Sequence, residues 1–225
     1  EYTYENGLLV ESYNENHYSI EEYKSKTTYY YKDGKRYSAT TAVYDKTTQK
    51  YVDSYIMFYV YDANGDRINE IEFEIGEESI VPALFTNIEY NSAHQETKSE
   101  LYLFVGGEYS LSFTSVTEYN QKSKISKITN TTYILGEEDS STFVYEYNAN
   151  ETLKQIDEYK EENTLVTTTR YTYYDYNASL VDEETTYRID GELQLPKTQY
   201  KYEYNSNNDP VKQSYKVYNT ETKVF

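Results

Sequence analysis

Residues 59–68 read Tyr-Val-Tyr-Asp-Ala-Asn-Gly-Asp-Arg-Ile, and this stretch decides the fold. Its Tyr-x-Tyr-polar signature alternates side chains with the period of two that is typical of a half-buried β-strand. Asn64-Gly65 follows, and this dipeptide is a strong hairpin signal because both residues adopt positive φ. The stretch therefore predicts the end of one antiparallel strand, a tight turn and the start of the next strand.

The signature recurs along the whole chain. Its second tyrosine lies at Tyr4, Tyr31, Tyr61, Tyr90, Tyr119, Tyr147, Tyr176 and Tyr204, at steps of 27, 30, 29, 29, 28, 29 and 28 residues. In two copies Ile88 and Thr117 replace the first tyrosine. A period of this length indicates a stacked repeat architecture. We predict a single repeat array over residues 1–225, built from eight units of 28–29 residues.

A second set of turn-forming residues lies about midway between the signatures, as at Asn14–Asn16, Gly106-Gly107 and Asp190-Gly191. Each unit is thus strand, turn, strand, turn, and no window has helical periodicity. The predicted fold is all-β, an antiparallel meander of about sixteen strands. A sheet of that width twists, curls or closes. An elongated twisted sheet, a coiled sheet and a large barrel are the alternatives, and we favour an open or curled extended sheet.

Tyrosine supplies the apolar area of this chain. Leu, Ile, Val and Phe together number 44 of 225 residues, whereas Tyr alone contributes 32. A tyrosine ring buries apolar surface while its hydroxyl stays hydrated or hydrogen-bonded, and tyrosine favours strands. We expect the repeated tyrosines to stabilise the sheet by packing across strands, without a thick aliphatic core.

Charge and composition exclude several classes of partner. The net charge of −18 disfavours nucleic acid and anionic membranes, which attract clusters of Lys and Arg. No apolar run approaches the length of a membrane-spanning helix, and the absence of cysteine excludes disulfides and thiolate chemistry. The chain opens inside a unit and carries no signal sequence, so we expect an export signal or earlier repeats upstream. The expected location is extracellular or on a bacterial cell surface.

Residues 59–68 resemble one unit of the tyrosine–aspartate (YD) repeats of bacterial Rhs-type and wall-associated proteins, of the form Tyr-x-Tyr-Asp-x-x-Gly-x-[Leu/Ile]. The resemblance implies tyrosine-rich β-hairpin sheets that form shells, stalks and adhesive surfaces and are not themselves catalytic. The other units depart from this form. Asp follows the signature tyrosine only at Asp62, five copies have Asn there, and copies four to eight lack the Gly.

Few residues suggest site chemistry. The two histidines, His17 and His94, lie in predicted turns with no partner for base or nucleophile chemistry, so we expect surface positions. Asp62, Asn64 and Asp66 resemble the start of a calcium loop and form a weak candidate site. The twelfth position, where such a loop needs Glu, is Phe73. Glu70, Glu72 and Glu74 alternate on one strand face, as in any charged sheet. We predict no catalytic residue and no cofactor.

These observations favour a non-catalytic secreted or cell-surface protein with a structural or adhesive role and a protein or glycan partner. One alternative is a carbohydrate-binding protein that uses exposed aromatic residues. Another is a segment of a larger Rhs-like encapsulating shell. Repeated positions serve the fold, so we expect the functional surface where the pattern lapses, in residues 76–140.

Overall fold

The computed structural model describes residues 1–16, 23–160, 164–175 and 177–218, and its regular structure there consists of strands. The chain divides into two units, Glu1–Thr114 and Ser115–Phe225, with the boundary inside one strand. Eight strands precede that strand: β1 Tyr2–Glu5, β2 Leu8–Asn16, β3 Tyr23–Lys32, β4 Lys35–Asp45, β5 Lys50–Tyr61, β6 Arg67–Ile75, β7 Ile80–Tyr90 and β8 Glu96–Val105. The others are β9 Glu108–Tyr119, β10 Ile125–Ile134, β11 Glu137–Tyr147, β12 Leu153–Lys160, β13 Thr164–Tyr174, β14 Asn177–Asp190, β15 Leu193–Tyr204 and β16 Pro210–Val217.

The hydrogen-bonded order of the strands is their order in the chain, from β1 to β16. This confirms the predicted all-β antiparallel meander. One predicted turn is wrong: Asn14–Asn16 lies inside β2, because its residues pair with Ser25, Lys24 and Tyr23 of β3. His17 and the signature Tyr176 lie outside the described residues.

The described part of the sheet has very little buried core. Eight of its residues are buried, and only Ala39, Ala42 and Ile88 among them are apolar. Most ring-bearing positions are half-buried. The sheet is therefore stabilised mainly by side chains that pack across neighbouring strands, as the tyrosine content predicts.

Four signature tyrosines make a hydrogen bond just beyond the end of the backbone hydrogen bonding between two neighbouring strands. Their hydroxyls donate to backbone carbonyls of the preceding strand: Tyr31 to Leu9 at 2.8 Å, Tyr61 to Arg36 at 2.8 Å, Tyr90 to Arg67 at 3.1 Å and Tyr147 to Ile125 at 2.8 Å. Each acceptor lies two residues outside the last backbone pair. The β4–β5 ladder, for example, ends at Ser38 and Phe58. The hydroxyl thus supplies a donor where the backbone no longer does.

The seventh unit shifts this role by three residues. There Tyr173 donates to the Leu153 carbonyl at 2.6 Å, beyond a ladder that ends at Gln155 and Arg170. Its neighbour Tyr174 instead donates to the Tyr202 carbonyl at 2.6 Å. Tyr173 is therefore the structural counterpart of the signature tyrosine in this unit, ahead of the Tyr176 that the spacing selects.

The turns after the signatures explain why Asn replaces Asp. The Asp62 Oδ1 atom accepts from the backbone N–H groups of Asn64, Gly65 and Asp66 at 2.9, 2.8 and 2.9 Å. The Oδ1 atoms of Asn91, Asn120 and Asn205 accept equivalent bonds in their own loops. The backbone N–H groups need only the Oδ1 acceptor, which both Asp and Asn supply. The second side-chain atom differs in role: Asp62 Oδ2 accepts from Asn64 Nδ2, whereas Asn91 Nδ2 and Asn205 Nδ2 donate to Gln95 and Asp209.

The backbone conformation of these loops shows what takes the place of glycine in the units that lack it. The fourth loop residue has positive φ in every case: Gly65 at 95°, His94 at 59°, Ser123 at 61°, Glu151 at 68° and Asn208 at 65°. Glycine adopts this conformation without strain, whereas the other residues adopt it at a cost. The loop geometry is therefore kept in units that lack the glycine.

Candidate functional site

The first unit, Glu1–Thr114, presents two different surfaces along β5. Tyr59 and Tyr61 lie on one face, and Phe58 and Val60 on the other, because side chains alternate along a strand. We name these the tyrosine face and the phenylalanine face. Phe58 and Val60 are each 39% exposed, while Tyr59 and Tyr61 are half-buried. The phenylalanine face thus exposes the Phe58 ring, which has no hydroxyl to hydrate.

A row of directly paired side chains crosses six strands on the phenylalanine face. Direct cross-strand pairing joins its members, which we name the aromatic row: Tyr30 on β3, Ser38 on β4, Phe58 on β5, Ile71 on β6, Phe85 on β7 and Tyr102 on β8. Directly paired residues project from the same face of a sheet. Tyr30, Phe58 and Phe85 therefore repeat on every second strand.

Ring contacts hold the row in place. The Phe85 centroid lies 5.8 Å from that of Tyr102 and 5.9 Å from that of Tyr109. Phe58 meets Phe73 of the neighbouring row at 6.1 Å, edge to face. Such tilted and edge-to-face pairs are favourable ring arrangements. The outer rings remain accessible, since Tyr30 is 42% exposed.

A chain of polar groups runs beside the aromatic row. The Asn69 amide donates to Asn87 Oδ1 at 3.2 Å, and the Asn87 amide donates to Glu100 Oε2 at 3.3 Å. The Tyr102 hydroxyl donates to the same carboxylate oxygen at 3.2 Å, and Lys98 Nζ lies 2.7 Å from Glu100 Oε1. We name Asn69, Asn87 and Glu100 the polar row. Its members pair directly across β6, β7 and β8, so the two rows are parallel.

The polar row fixes the charge state of its carboxylate. The hydrogen bond from Lys98 lowers the pKa of Glu100, against a smaller opposing effect of burial, and the Asn87 amide lowers it further. Burial, together with the nearby Glu100 charge, raises the pKa of Tyr102. At neutral pH this edge of the surface therefore offers a carboxylate acceptor and a phenolic hydroxyl, with amide donors alongside.

On the tyrosine face of the same unit, three tyrosine rings contact one arginine side chain. The Arg36 guanidinium lies 4.0 Å from the Tyr29 ring centroid, 5.8 Å from that of Tyr31 and 5.9 Å from that of Tyr59. Cation–π contacts of this kind stabilise half-buried aromatic clusters. We assign these tyrosines to support of the sheet.

The glutamates predicted to share a face do so. Glu70, Glu72 and Glu74 pair across strands with Tyr59, Met57 and Tyr55 on the tyrosine face. Burial, with a contribution from the Glu70 charge, raises the pKa of Glu72.

The two aspartates of the calcium-loop candidate, Asp62 and Asp66, form hydrogen bonds with protein groups. Asp62 Oδ1 accepts three backbone N–H groups, and Asn64 Nδ2 donates to Asp62 Oδ2 at 3.1 Å. Asp66 Oδ2 lies 2.6 Å from His94 Nδ1 of the next loop along the sheet. The three residues lie in one turn, where the contacts of Asp62 and Asp66 are to protein groups. Within the described residues no cluster of three or more His, Cys, Asp or Glu is placed to hold a metal ion.

Sequence reasoning missed the aromatic row. Its signal was the distribution of phenylalanine, since four of the seven Phe residues lie between positions 58 and 104. The row overlaps the expected range of residues 76–140 only at Phe85 and Tyr102.

The described part of the chain contains no helix long and apolar enough to cross a membrane.

Comparisons with known proteins find only weak structural similarity. No family model matches it, and no curated protein matches it. It is similar to a porin-like protein from Bacteroides uniformis ATCC 8492, with 11% identity and a TM-score of 0.35, over 84% of this chain and 93% of that one. It is also similar to a chain of the TcdB2-TccC3-TEV structure, with 10% identity and a TM-score of 0.20, over 96% of this chain and 20% of that one. At these TM-scores the similarity is a weak architectural one and carries no argument about function.

Proposed function

We propose that this protein is a non-catalytic adhesive protein of the bacterial cell surface, and that it holds a glycan partner on the phenylalanine face of its first unit. The observation that carries the proposal is the aromatic row of exposed and half-buried rings with a parallel polar row beside it. Aromatic faces pack against the C–H faces of sugar rings, while amides and carboxylates bind sugar hydroxyls. A glycan fits a surface that offers both kinds of contact side by side.

The exposure of phenylalanine supports a binding role. A ring without a hydroxyl gains nothing from water, and exposed apolar patches mark interaction surfaces. Phe58 is 39% exposed on a strand that carries tyrosine at positions 51, 55, 59 and 61. A purely structural sheet could place tyrosine there as well, so the phenylalanine favours a partner that covers it.

The lowered pKa of Glu100 supports a role in binding in preference to a role in glycan hydrolysis. A general acid needs a proton near neutral pH, which in a carboxyl group requires a raised pKa. The bonds from Lys98 and Asn87 lower the pKa of Glu100 instead. Glu100 therefore suits acceptance of hydroxyl hydrogen bonds.

An array of immobilised glycans of many linkages tests this function. We expect saturable binding by the intact protein, and at least tenfold weaker binding by Phe85→Ala, which removes one ring of the aromatic row. Incubation with the bound glycans should release no new reducing ends. Sustained release would overturn the non-catalytic role, and an array without a single ligand would overturn glycan binding.

Labelling of intact cells with an antibody to the protein tests the location. Surface labelling that disappears after brief external proteolysis is expected. Labelling that appears only after lysis would contradict a surface role.

A further inference from the structure

We propose that the aromatic row is a track for an extended, neutral, β-1,4-linked glycan that lies across the strands. This inference rests on the proposed glycan-binding function and names the ligand class of the same surface. It concerns only the first unit, Glu1–Thr114.

The spacing of the rings carries the inference. Tyr30, Phe58 and Phe85 lie on β3, β5 and β7 in direct register through Ser38 and Ile71. Neighbouring strands are about 4.8 Å apart, so successive rings of this set are about 9.6 Å apart. Tyr30, Phe58 and Phe85 are therefore a series of directly registered aromatic positions with a two-strand period.

An extended β-1,4-linked chain has a matching period. Each sugar advances the chain by slightly more than one strand spacing, and successive sugars are turned over. Every second sugar thus presents the same face in the same direction. Such a chain laid along the row would set alternate sugars over Tyr30, Phe58 and Phe85, with the intervening sugars over Ser38 and Ile71. Glycans that coil, such as β-1,3-linked and α-1,4-linked glucans, lose this match after one or two sugars.

The polar row gives the chain a second line of contacts. Asn69 and Asn87 lie two residues along their strands from Ile71 and Phe85, or about 7 Å away. That distance reaches the hydroxyl groups at one edge of a sugar chain that lies over the rings. Each amide uses part of its hydrogen-bonding capacity inside the row, and an amide has two donors and an acceptor with two lone pairs. Glu100 adds a charged acceptor at the β8 end.

Charge selects a neutral chain. The protein carries a net charge of −18, and the carboxylate of the polar row is Glu100, which is paired with Lys98. The net negative charge of the protein disfavours the approach of a polyanionic glycan, whereas a neutral chain needs only hydroxyl partners. This separates cellulose, chitin and β-mannan from uronic-acid polymers of similar extended shape.

Depletion of the intact protein by insoluble glycans tests the ligand class. The probes are cellulose and chitin as extended neutral chains, curdlan as a coiled β-1,3-glucan, and insoluble cross-linked polygalacturonate as an extended polyanion. We expect cellulose and chitin to bind at least tenfold more tightly than the other two. Equal or tighter binding of curdlan or polygalacturonate would overturn the track and leave glycan binding intact. Binding of no glycan at all would overturn both proposals.

Matched variants test the track itself. Phe58→Thr removes a ring at an exposed position and keeps a good strand former, so the sheet should persist, as circular dichroism will show. We expect at least tenfold weaker binding to cellulose for Phe58→Thr and less than a twofold change for Phe58→Tyr. Tyr51→Ala, at a 41% exposed ring outside the row, is the control and should bind as the unchanged protein does. Unchanged binding by folded Phe58→Thr, or an equal loss in Tyr51→Ala, would overturn the track.

Discussion

The Tyr61 hydroxyl donates a 2.8 Å hydrogen bond to the Arg36 carbonyl, at a point where the backbone ladder between β4 and β5 has already ended. The same relationship recurs at Tyr31, Tyr90 and Tyr147, and Tyr173 adopts it in the seventh unit. A ladder end is a weak point of a single-layer sheet, because its unpaired carbonyls face water or another chain. The repeat therefore uses the tyrosine twice, with the ring for packing and the hydroxyl for the ladder end.

Tyr61→Phe should destabilise the protein by about 1 kcal/mol, the usual net value of one hydrogen bond. The ring and its contact with Lys35 remain, so the change isolates the hydroxyl. Urea unfolding followed by circular dichroism measures the free energy of unfolding. Tyr51→Phe is the control, since the Tyr51 ring is exposed and packs on Tyr44, and it should change stability by much less. Equal effects of the two changes would contradict the ladder-closing role.

The strand order followed from the sequence because each signal for it is local. Alternation identifies a strand, and Asn6-Gly7 or Asp33-Gly34 supplies the positive φ values of a two-residue turn, at 49° and 78° or 51° and 75°. Short turns such as these join neighbouring strands in sequence order, and a meander is the topology that results. The tyrosine content likewise predicted a sheet with little aliphatic core.

The aromatic row did not follow from the sequence because it depends on bulges. The register shifts at Val60/Tyr61, Glu72/Phe73 and Thr41/Ala42 displace each strand against the next by one residue. A slip of one residue moves a side chain to the other face. No local pattern shows that Tyr30, Phe58 and Phe85, at unequal offsets from their signatures, lie in one line. The role of Tyr173 in the seventh unit was hidden for the same reason.

His94 should make stability depend on pH near neutrality. The hydrogen bond to Asp66 Oδ2 raises the pKa of His94 above the ordinary histidine value of 6.5, and the Asp66 charge acts in the same direction. A raised folded-state pKa contributes stability that is fully present below 6.5 and is lost as pH rises through the folded pKa of His94. NMR titration of the His94 ring should show the raised pKa, and Asp66→Asn should return it towards the ordinary value. An unchanged His94 titration in Asp66→Asn would refute the pairing.

Tyr171 should make the protein sensitive to alkali. Burial, helped by the Glu184 charge, raises the pKa of Tyr171 to about 12. Folding therefore favours the protonated phenol, so this contribution is complete below pH 10 and is lost as pH rises from 10 to about 12. Urea midpoints measured across this range should fall less steeply for Tyr171→Phe, which cannot ionise. Parallel pH profiles for the two proteins would show that other groups dominate alkaline unfolding.

Leu135 should be a position where substitution stabilises the protein. It has a φ of 53° and is fully exposed at 102%, in the two-residue turn that it forms with Gly136. A leucine in the left-handed region costs about 1–2 kcal/mol, while Asn tolerates it and Asn-Gly is the preferred pair for such a turn. Leu135→Asn should therefore raise the free energy of unfolding by about 1 kcal/mol. The comparison is Leu193→Asn, which removes a 63% exposed leucine that has no positive φ and should give no such gain. If both variants gain equally, relief of exposed apolar surface is the cause, and backbone strain at Leu135 is not.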